Sequence, residues 1–250
     1  MTRTVLEVRD VQKSFGAVTA AKDISVAVPE GAVFSLIGSN GAGKTTFVNM
    51  VTGYIKPDSG SIRFADRDIA GMAPRQITRM GIHRSFQIAQ LCNDLTVEEN
   101  MLLAGAIHGA SGPSFLRRAH DPEARDRAVA TLERFNIAEH RDRLVPELSG
   151  GVKKLLDIAM AMAGDTQIML LDEPTSGVAS DEKFPIMDLV MEALRSTGVT
   201  VIFVEHDMDI VTRYSERVLA FYDGRIIADD APDEVLLDPE VQRYVTGTPA

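Results

Sequence analysis

A glycine-rich segment between a short apolar run and a helix constrains the fold of this chain more than any other part of its sequence. Residues 33–37 are mostly apolar and predict a strand buried on both faces, and residues 47–52 predict a helix. The segment between them satisfies the pattern G-x-x-x-x-G-K-[ST] of a phosphate-binding loop, in the strand, loop and helix context that this pattern requires. The segment consists of Gly38, Ser39, Asn40, Gly41, Ala42, Gly43, Lys44, Thr45 and Thr46.

The residue types of this loop match the chemistry of a nucleoside triphosphate, so we expect the whole segment to bind ATP. Glycines let the backbone close around phosphate oxygens with its N–H groups pointing inward, and the helix N-terminus adds partial positive charge. The ammonium group of Lys44 is expected to neutralise the β- and γ-phosphates, which gives it a catalytic role as well as a binding role. The hydroxyl group of Thr45 is expected to bind Mg²⁺.

Two adjacent carboxylates supply the other half of such a site. Residues 168–171 are apolar and predict a buried strand, and Asp172 and Glu173 follow it directly. We expect Asp172 to lie near the magnesium ion at the end of this strand. A carboxylate near the γ-phosphate can polarise a water molecule for in-line attack, and we assign this general-base role to Glu173.

The remaining apolar patterns predict an α/β fold with a mostly parallel sheet. Runs at residues 199–204 and 218–222 predict further strands buried on both faces, which belong in a parallel sheet covered by helices. Apolar and polar residues alternate in three other places, which predicts half-exposed strands of an antiparallel sheet at the edge of the core. These alternating stretches are residues 6–8, 25–28 and 61–64.

A change of composition predicts an inserted helical subdomain. Residues 96–148 are rich in Ala, Leu, Arg and Glu, with a helix opening at Asp121, Pro122 and Glu123 and an exposed Gly- and Ser-rich connection at residues 109–113. We therefore expect one domain, residues 1–250, with a P-loop core of the RecA-like type. Residues 1–95 and 149–250 form the core and its β subdomain in this interpretation, and residues 96–148 form the helical insertion.

Charge and cysteine content narrow the class of protein. The formal net charge is -10 and the isoelectric point is near 5.0, so non-specific binding of nucleic acid is disfavoured. The single cysteine, Cys92, cannot form an internal disulfide, as is typical of a reducing compartment. Neither a signal peptide nor an apolar span of about 20 residues is evident. We therefore expect a cytoplasmic protein that reaches a membrane only through a separate partner.

A second motif resembles the signature of the ATP-binding cassette family. Leu148, Ser149, Gly150, Gly151 and Val152 are similar to the family motif LSGGQ and precede the strand of Asp172, as the family pattern requires. The resemblance covers nearly the whole chain and implies an ATPase. A helix starting at residue 152 offers a second anion site at its N-terminus. One chain has no second phosphate to hold there, and the resemblance implies that the motif binds ATP across a head-to-tail dimer.

The resemblance also assigns three isolated residues. Gln87 looks like the Q-loop glutamine, which contacts magnesium and the attacking water and senses the transmembrane partner. His206 resembles the switch histidine that contacts the γ-phosphate. Phe15 looks like the aromatic residue that stacks on adenine. By this resemblance Glu173, His206, Gln87 and Lys44 are catalytic, and Thr45, Gln87 and Asp172 bind the metal.

The chain departs from the family pattern in two places. Val152 replaces the usual glutamine, which removes a polar contact but keeps the Ser and Gly residues that bind phosphate, so we expect activity to survive. Residues 176–181 resemble the D-loop only in their opening, because Val178 and Ala179 stand where the family has Leu-Asp or Leu-Asn.

Other segments look most like the ATPases of branched-chain amino-acid importers, namely residues 79–87, 95–100 and 238–247. The resemblance implies a system that commonly pairs two different ATPase subunits with two transmembrane permease subunits and a periplasmic solute-binding protein. A heterodimer is therefore an alternative to a homodimer. Residues 88–94 are our hypothesis for the groove that receives the permease. Related importers carry urea, other amides or aromatic acids, and the ATPase of lipopolysaccharide export is also similar, so solute and direction stay open. A non-transport ATPase of the family is a further alternative.

Overall fold

The computed structural model describes residues 3–85, 91–109 and 122–247. The chain divides into two compact units, one formed by Met1–Thr78 with Gly198–Ala250 and the other by Arg79–Thr197. Among the described residues, no helix combines the length and the apolar character needed to cross a bilayer.

The secondary-structure elements are numbered here in chain order. The strands are β1 Thr4–Phe15, β2 Val18–Pro29, β3 Val33–Gly38, β4 Ser59–Phe64, β5 Arg67–Asp68, β6 Ile82–Ser85, β7 Ile168–Asp172, β8 Thr200–Val204, β9 Arg217–Tyr222 and β10 Arg225–Asp230. The α-helices are α1 Lys44–Val51, α2 Pro74–Met80, α3 Val97–Gly109, α4 Pro122–Arg134, α5 Gly150–Ala161, α6 Lys183–Arg195, α7 Met208–Tyr214, α8 Pro232–Leu237 and α9 Pro239–Val241. Short 3-10 helices cover Ala138–His140 and Val145–Glu147, and a π-helical turn covers Gln242–Thr246.

An antiparallel sheet forms one layer of the first unit, with the strand order β2-β1-β4-β5. Its strands alternate between buried and exposed side chains, because one face lies against the core and the other faces water. Leu6, Val8, Val28 and Ile62 are among the buried apolar residues of this sheet. The predicted half-exposed strands therefore form, and β1 and β2 extend well beyond the alternating residues from which they were predicted.

The parallel strand β3 is the centre of the other sheet in this unit. It pairs in parallel with β8 on one side and with β9 on the other, and β10 adds an antiparallel edge next to β9. Every residue of β3 and of β8 is buried, as expected for strands covered by helices on both faces. Parallel strands end at the same edge, so the chain leaving β3 and the chain leaving β8 emerge side by side.

The second unit combines the parallel pair β6 and β7 with the helices α3 to α6. β6 and β7 pair from Ile82 with Ile168 to Ser85 with Leu171. Helix α5 begins after the N-cap residue Ser149, whose hydroxyl accepts a hydrogen bond from the Val152 N–H, and its buried side includes Leu156 and Ile158. This apolar side packs against the rest of the unit and leaves the amino end of the helix exposed.

The predicted α/β class, with an antiparallel edge sheet and additional helices, is confirmed. Helices α3 and α4 lie inside residues 96–148, but the extent of the helical subdomain and of the core stays a prediction. The predicted connection at residues 109–113 lies outside the described residues, except for the end of α3. The helix expected at residues 47–52 begins at Lys44, because the loop glycine before it already acts as its N-cap.

Candidate functional site

The phosphate-binding loop lies in the first unit, between the end of β3 and the start of α1. Its glycines have positive φ angles of 148° at Gly38, 81° at Gly41 and 110° at Gly43, which residues with a Cβ rarely adopt. Gly43 is the N-cap of α1, and the Ala42 N–H donates to the Ser39 carbonyl at 3.1 Å. The loop is therefore a tight turn that delivers the chain to the amino end of a helix.

The side chain of Lys44 folds back across this loop. Its ammonium group donates hydrogen bonds to the carbonyl oxygens of Gly38 at 2.5 Å and of Ser39 at 3.1 Å. Lys44 is only 6% exposed, whereas Thr45, the next residue of α1, is exposed. The positive charge is thus held inside the loop, where phosphate oxygens can replace the two carbonyl groups as its partners.

The backbone of two neighbouring segments, strand β2 and the turn between β9 and β10, contacts the phosphate-binding loop. The Gly224 N–H, in the turn between β9 and β10, donates to the Ala42 carbonyl at 3.0 Å. A Cβ atom on Gly43 would stand 2.6 Å from the carbonyl oxygen of Ala20 in β2 and 3.3 Å from the Cα of Gly224. Only a glycine fits at this point, because strand β2 and the β9–β10 turn both approach the loop closely.

Phe15 lies at the tip of the hairpin that β1 forms with β2. It pairs with Val18 across the hairpin, and 49% of its surface is exposed, which is unusual for a phenylalanine. The same hairpin carries Ala20, which lies against Gly43. An exposed aromatic ring therefore stands on the element that borders the phosphate loop, as a base-stacking residue must.

Lys13 and Asp58 form an ion pair next to Phe15. The Lys13 ammonium lies 5.5 Å from the centre of the Phe15 ring and 2.7 Å from a carboxylate oxygen of Asp58. The Ser14 N–H donates to the other oxygen of Asp58 at 2.8 Å. The hydrogen bonds from Lys13 and then from Ser14 lower the pKa of the Asp58 carboxyl below its usual value. The sequence pattern alone did not single out Lys13 or Asp58.

His206 follows β8 at the edge of the sheet where the phosphate loop begins. The register pairs Leu36 of β3 with Val204, and the Glu205 N–H lies 3.4 Å from the Leu36 carbonyl. His206 is exposed, and its backbone N–H donates to the carboxylate of the buried Glu205 at 3.1 Å. The parallel register therefore brings His206 to the same end of the sheet as the loop that follows β3.

Asp172 ends β7 in the second unit, where it is paired with a basic residue of the neighbouring strand. A guanidinium nitrogen of Arg84, Nη2, lies 2.5 Å from Oδ2 of Asp172. The side chains are 10% and 19% exposed, respectively. Arg84 entered the sequence analysis only as part of a longer motif. No local sequence signal identifies it, because its partner Asp172 is distant in the sequence.

Glu173 follows Asp172 with a left-handed backbone. Its φ angle is 47°, which is uncommon for a residue with a long side chain, and its carbonyl accepts a hydrogen bond from the Ser176 N–H at 3.0 Å. The chain thus turns sharply as it leaves β7.

The signature-like motif forms the exposed amino end of α5. Ser149 and Gly150 are exposed and Gly151 is buried, where a Cβ atom would stand 2.5 Å from Cδ1 of Ile186 in α6. A Cβ atom at this position would force the end of the Ile186 side chain to move, so glycine suits the close packing of the two helices. The Val152 N–H donates to the Ser149 hydroxyl, and the exposed Gly150 lies at the start of the helix, where an anion can approach the helix N-terminus.

The segment around the predicted Q-loop is described only in part. Gln87 and residues 88–90 of the predicted permease groove lie outside the described residues. From Leu91 onward the chain is held by Asn100, a fully buried residue. Its side-chain oxygen accepts from the Cys92 N–H at 2.9 Å, and its amide donates to the Thr96 carbonyl at 2.8 Å.

The donor types at the predicted metal ligands suit magnesium. Thr45 offers a hydroxyl oxygen and Asp172 a carboxylate oxygen, and Mg²⁺ prefers such hard oxygen donors. Magnesium in phosphate-transfer sites takes one or two protein ligands, with waters and substrate phosphates completing its shell. No group of three or more His, Cys, Asp and Glu residues able to hold a metal occurs in the part of the chain that the structure describes.

The predicted residues therefore fall into two groups. The first unit brings together the phosphate loop, Phe15 and His206, and the second unit carries Asp172, Glu173 and the Ser149 motif. Their individual roles stay predictions.

Comparison with known families identifies one match. A family model described as "ABC transporter" matches residues 21–176, which include the phosphate loop, the signature-like motif and both carboxylates. The high-affinity branched-chain amino acid transport ATP-binding protein LivG of Salmonella typhimurium is 35% identical over 99% of both chains. A probable LivG protein of Archaeoglobus fulgidus is 33% identical, covering 97% of this chain and 95% of that protein.

Solved structures show the same likeness. The ADP conformation of MJ1267, an ATP-binding cassette of an ABC transporter, has a TM-score of 0.85 and 32% identity, covering 97% of this chain and 98% of that one. The cassette MJ0796, solved as a dimer in a post-hydrolysis state with ADP and phosphate, has a TM-score of 0.75 and 26% identity. It covers 91% of this chain and 98% of its own.

Proposed function

This chain belongs to the ABC transporter family, and we propose that it is the ATP-hydrolysing subunit of a transporter that imports branched-chain amino acids or related small polar solutes. The observation that carries the proposal is the phosphate loop with the buried Lys44 ammonium inside it. Full-length likeness to proteins named as branched-chain amino acid transport ATP-binding proteins supports the choice of solute class.

ATP binds through the first unit in this proposal. The adenine stacks on the exposed ring of Phe15, and the backbone N–H groups of the loop and the Lys44 ammonium take the β- and γ-phosphates. His206, at the sheet edge where the loop begins, contacts the γ-phosphate. The buried position of Lys44 favours this arrangement, because a charge shielded from water acts strongly on a nearby phosphate.

The carboxylates of the second unit complete the chemistry. Glu173 holds the attacking water in line with the γ-phosphate and takes up its proton, while Gln87 helps to orient that water. Thr45, Asp172 and Gln87 would hold Mg²⁺, which would neutralise charge on the phosphates. Because hydrolysis requires little covalent participation by the protein, positioning of these groups accounts for most of the rate.

A second ATPase subunit completes each site. Ser149 and Gly150 are exposed at the N-terminus of α5, where an anion binds in this scheme. ATP bound to Lys44 of one subunit then contacts the Ser149 motif of its partner. Binding of ATP draws the subunits together, and hydrolysis lets them separate.

The remaining partners follow from the family. We propose that the ATPase dimer binds transmembrane permease subunits at the inner face of the cell membrane, through the segment after Gln87. A periplasmic solute-binding protein delivers the solute from the other side.

The solute class is tested by disrupting the gene, which should abolish uptake of labelled leucine. If leucine uptake stays intact while uptake of urea or benzoate is lost, the transporter carries that other solute and not branched-chain amino acids.

The catalytic assignment is tested by phosphate release from ATP. Glu173→Gln should lower the rate about 10²- to 10⁴-fold, because a general base is lost, while ATP binding remains. Glu192→Gln makes the same chemical change at an exposed position of α6 and should hydrolyse ATP like the wild type. Wild-type turnover by the Glu173→Gln variant would refute the general-base role.

A further inference from the structure

The strand register of the second unit brings Arg84 to the carboxylate at the end of β7. Arg84 of β6 pairs with Leu170 of β7, and Asp172 lies two residues further along the same strand. Side chains two residues apart in a strand point to the same face, so Arg84 and Asp172 share a face of this pair. Nη2 of Arg84 then reaches Oδ2 of Asp172 at 2.5 Å.

The surroundings of the two side chains make this ion pair stronger than a surface pair. Their exposed fractions are 10% for Arg84 and 19% for Asp172, so water screens the attraction only weakly. Exposed ion pairs in the same unit, such as Arg127 with Glu123, have both side chains mostly in water. Breaking the partly buried pair would leave a carboxylate without the charge that compensates it.

A guanidinium contact also fixes the orientation of a carboxylate. Arginine is planar and donates in fixed directions, so the bond to Oδ2 restricts the orientations that the Asp172 carboxyl group can take. The second oxygen, Oδ1, has its own lone pairs for another ligand. Groups that orient a metal-binding side chain in this way commonly determine the strength of metal binding.

We propose that Arg84 is a positioning residue for Asp172, holding its carboxylate in the orientation that binds Mg²⁺ together with the nucleotide. The inference rests on the proposed function, which assigns Asp172 to magnesium. It concerns a residue that contacts neither nucleotide nor water in the proposed mechanism. In this proposal Arg84 acts through Asp172.

The test separates metal binding from nucleotide binding. The affinity for a non-hydrolysable ATP analogue, AMP-PNP, is measured by calorimetry at constant ionic strength, once with excess Mg²⁺ and once with EDTA. The dissociation constant in EDTA divided by the dissociation constant in Mg²⁺ gives a ratio that reports how much the metal strengthens binding. Arg84→Met should lower this ratio about 10-fold, while its dissociation constant in EDTA stays within about twofold of the wild-type value.

Matched variants exclude a general structural effect. Arg195→Met removes an exposed arginine from α6 of the same unit and should leave the ratio unchanged. Arg84→Lys keeps the charge but loses the planar fork, so its ratio should lie between those of the wild type and Arg84→Met. If Arg84→Met does not fold, the lysine variant alone supports or contradicts the proposal.

A double substitution shows whether Arg84 acts through Asp172. Asp172→Asn should remove most of the magnesium effect, and adding Arg84→Met to it should change the ratio no further. An unchanged ratio in Asp172→Asn would contradict the proposed magnesium role of Asp172 itself. Suppose instead that the ratio falls in Asp172→Asn. The positioning role alone is then overturned if Arg84→Met keeps the wild-type ratio, whether its binding is unchanged or equally weakened in Mg²⁺ and in EDTA.

Discussion

Single residues of the phosphate loop are determined by backbone geometry as much as by chemistry. Gly43 combines a φ angle of 110° with a closest approach of 2.6 Å between its hypothetical Cβ and the Ala20 carbonyl oxygen. Neither the strain nor the contact can be relieved by a side-chain rotation, because both involve main chain. The identity of this residue is therefore set by strand β2 as well as by phosphate.

Gly43→Ala should disrupt the loop. We expect a loss of about 1 to 3 kcal/mol in the free energy of unfolding and at least about tenfold weaker binding of AMP-PNP, measured by urea denaturation and calorimetry. Gly16→Ala is the matched control, since Gly16 has a φ angle of 59° with nothing within 4 Å of its hypothetical Cβ. Equal effects of the two substitutions on AMP-PNP binding would show that contact with β2 does not shape the site.

Phe15 should act through its ring alone. Phe15→Ala should weaken AMP-PNP binding about 5- to 100-fold, since stacking of a base on an aromatic side chain contributes about 1 to 3 kcal/mol. Phe15→Tyr keeps the ring and should bind nearly as well as the wild type. The stability of the fold should change little because the side chain is 49% exposed. Unchanged affinity of Phe15→Ala would place the adenine elsewhere.

At the scale of secondary-structure elements, apolar pattern predicted the central strands but not all of their neighbours. Residues 33–37 and 168–171 lie in β3 and β7, since long apolar runs favour burial. Strand β6 was missed because His83 and Arg84 interrupt its apolar pattern. Both polar side chains have partners only in the folded chain, His83 with Thr166 at 2.7 Å and Arg84 with Asp172, and sequence does not show such pairs.

Helix α6 was missed for a different reason. Its buried residues Ile186, Met187, Val190, Met191 and Leu194 follow the helical repeat, so the signal was present in the sequence. This repeat alone is sufficient to predict a helix over these residues. The site residues themselves were found through motifs, whereas Arg84, Lys13 and Asp58 depend on pairing between strands and loops distant in sequence.

Asn100 should stabilise the segment that links the predicted Q-loop to α3. It is fully buried and bonds to the backbone of Cys92 and Thr96, so Asn100→Ala would remove hydrogen bonds to partly buried backbone groups and leave the Cys92 N–H without this acceptor. We expect a loss of about 2 to 3 kcal/mol in the free energy of unfolding, measured by urea denaturation. Asn93→Ala, at an exposed position in the same segment, should cost less than about 0.5 kcal/mol. Equal costs would show that these hydrogen bonds do not hold the segment.

At the scale of the whole molecule, the proposed function assigns each chain to two different ATP sites. Lys44 lies in one unit and Ser149 in the other, and the dimeric solved relative shows that such cassettes associate. Two inactive variants should therefore complement each other if Lys44 and Ser149 act across the dimer. Lys44→Ala removes the loop charge, while Ser149→Asp keeps a good N-cap residue but repels phosphate.

Each variant alone should release almost no phosphate from ATP. In a 1:1 mixture, half of the dimers pair one variant with the other. Each of these mixed dimers has one intact ATP site and one that lacks both groups. The rate of phosphate release should therefore recover to at most about a quarter of the wild-type rate. Glu173→Gln with ATP provides the control for association, because blocked hydrolysis should leave a dimer that light scattering detects. If that dimer forms but the mixture stays inactive, Lys44 and Ser149 do not act on the same ATP from opposite subunits.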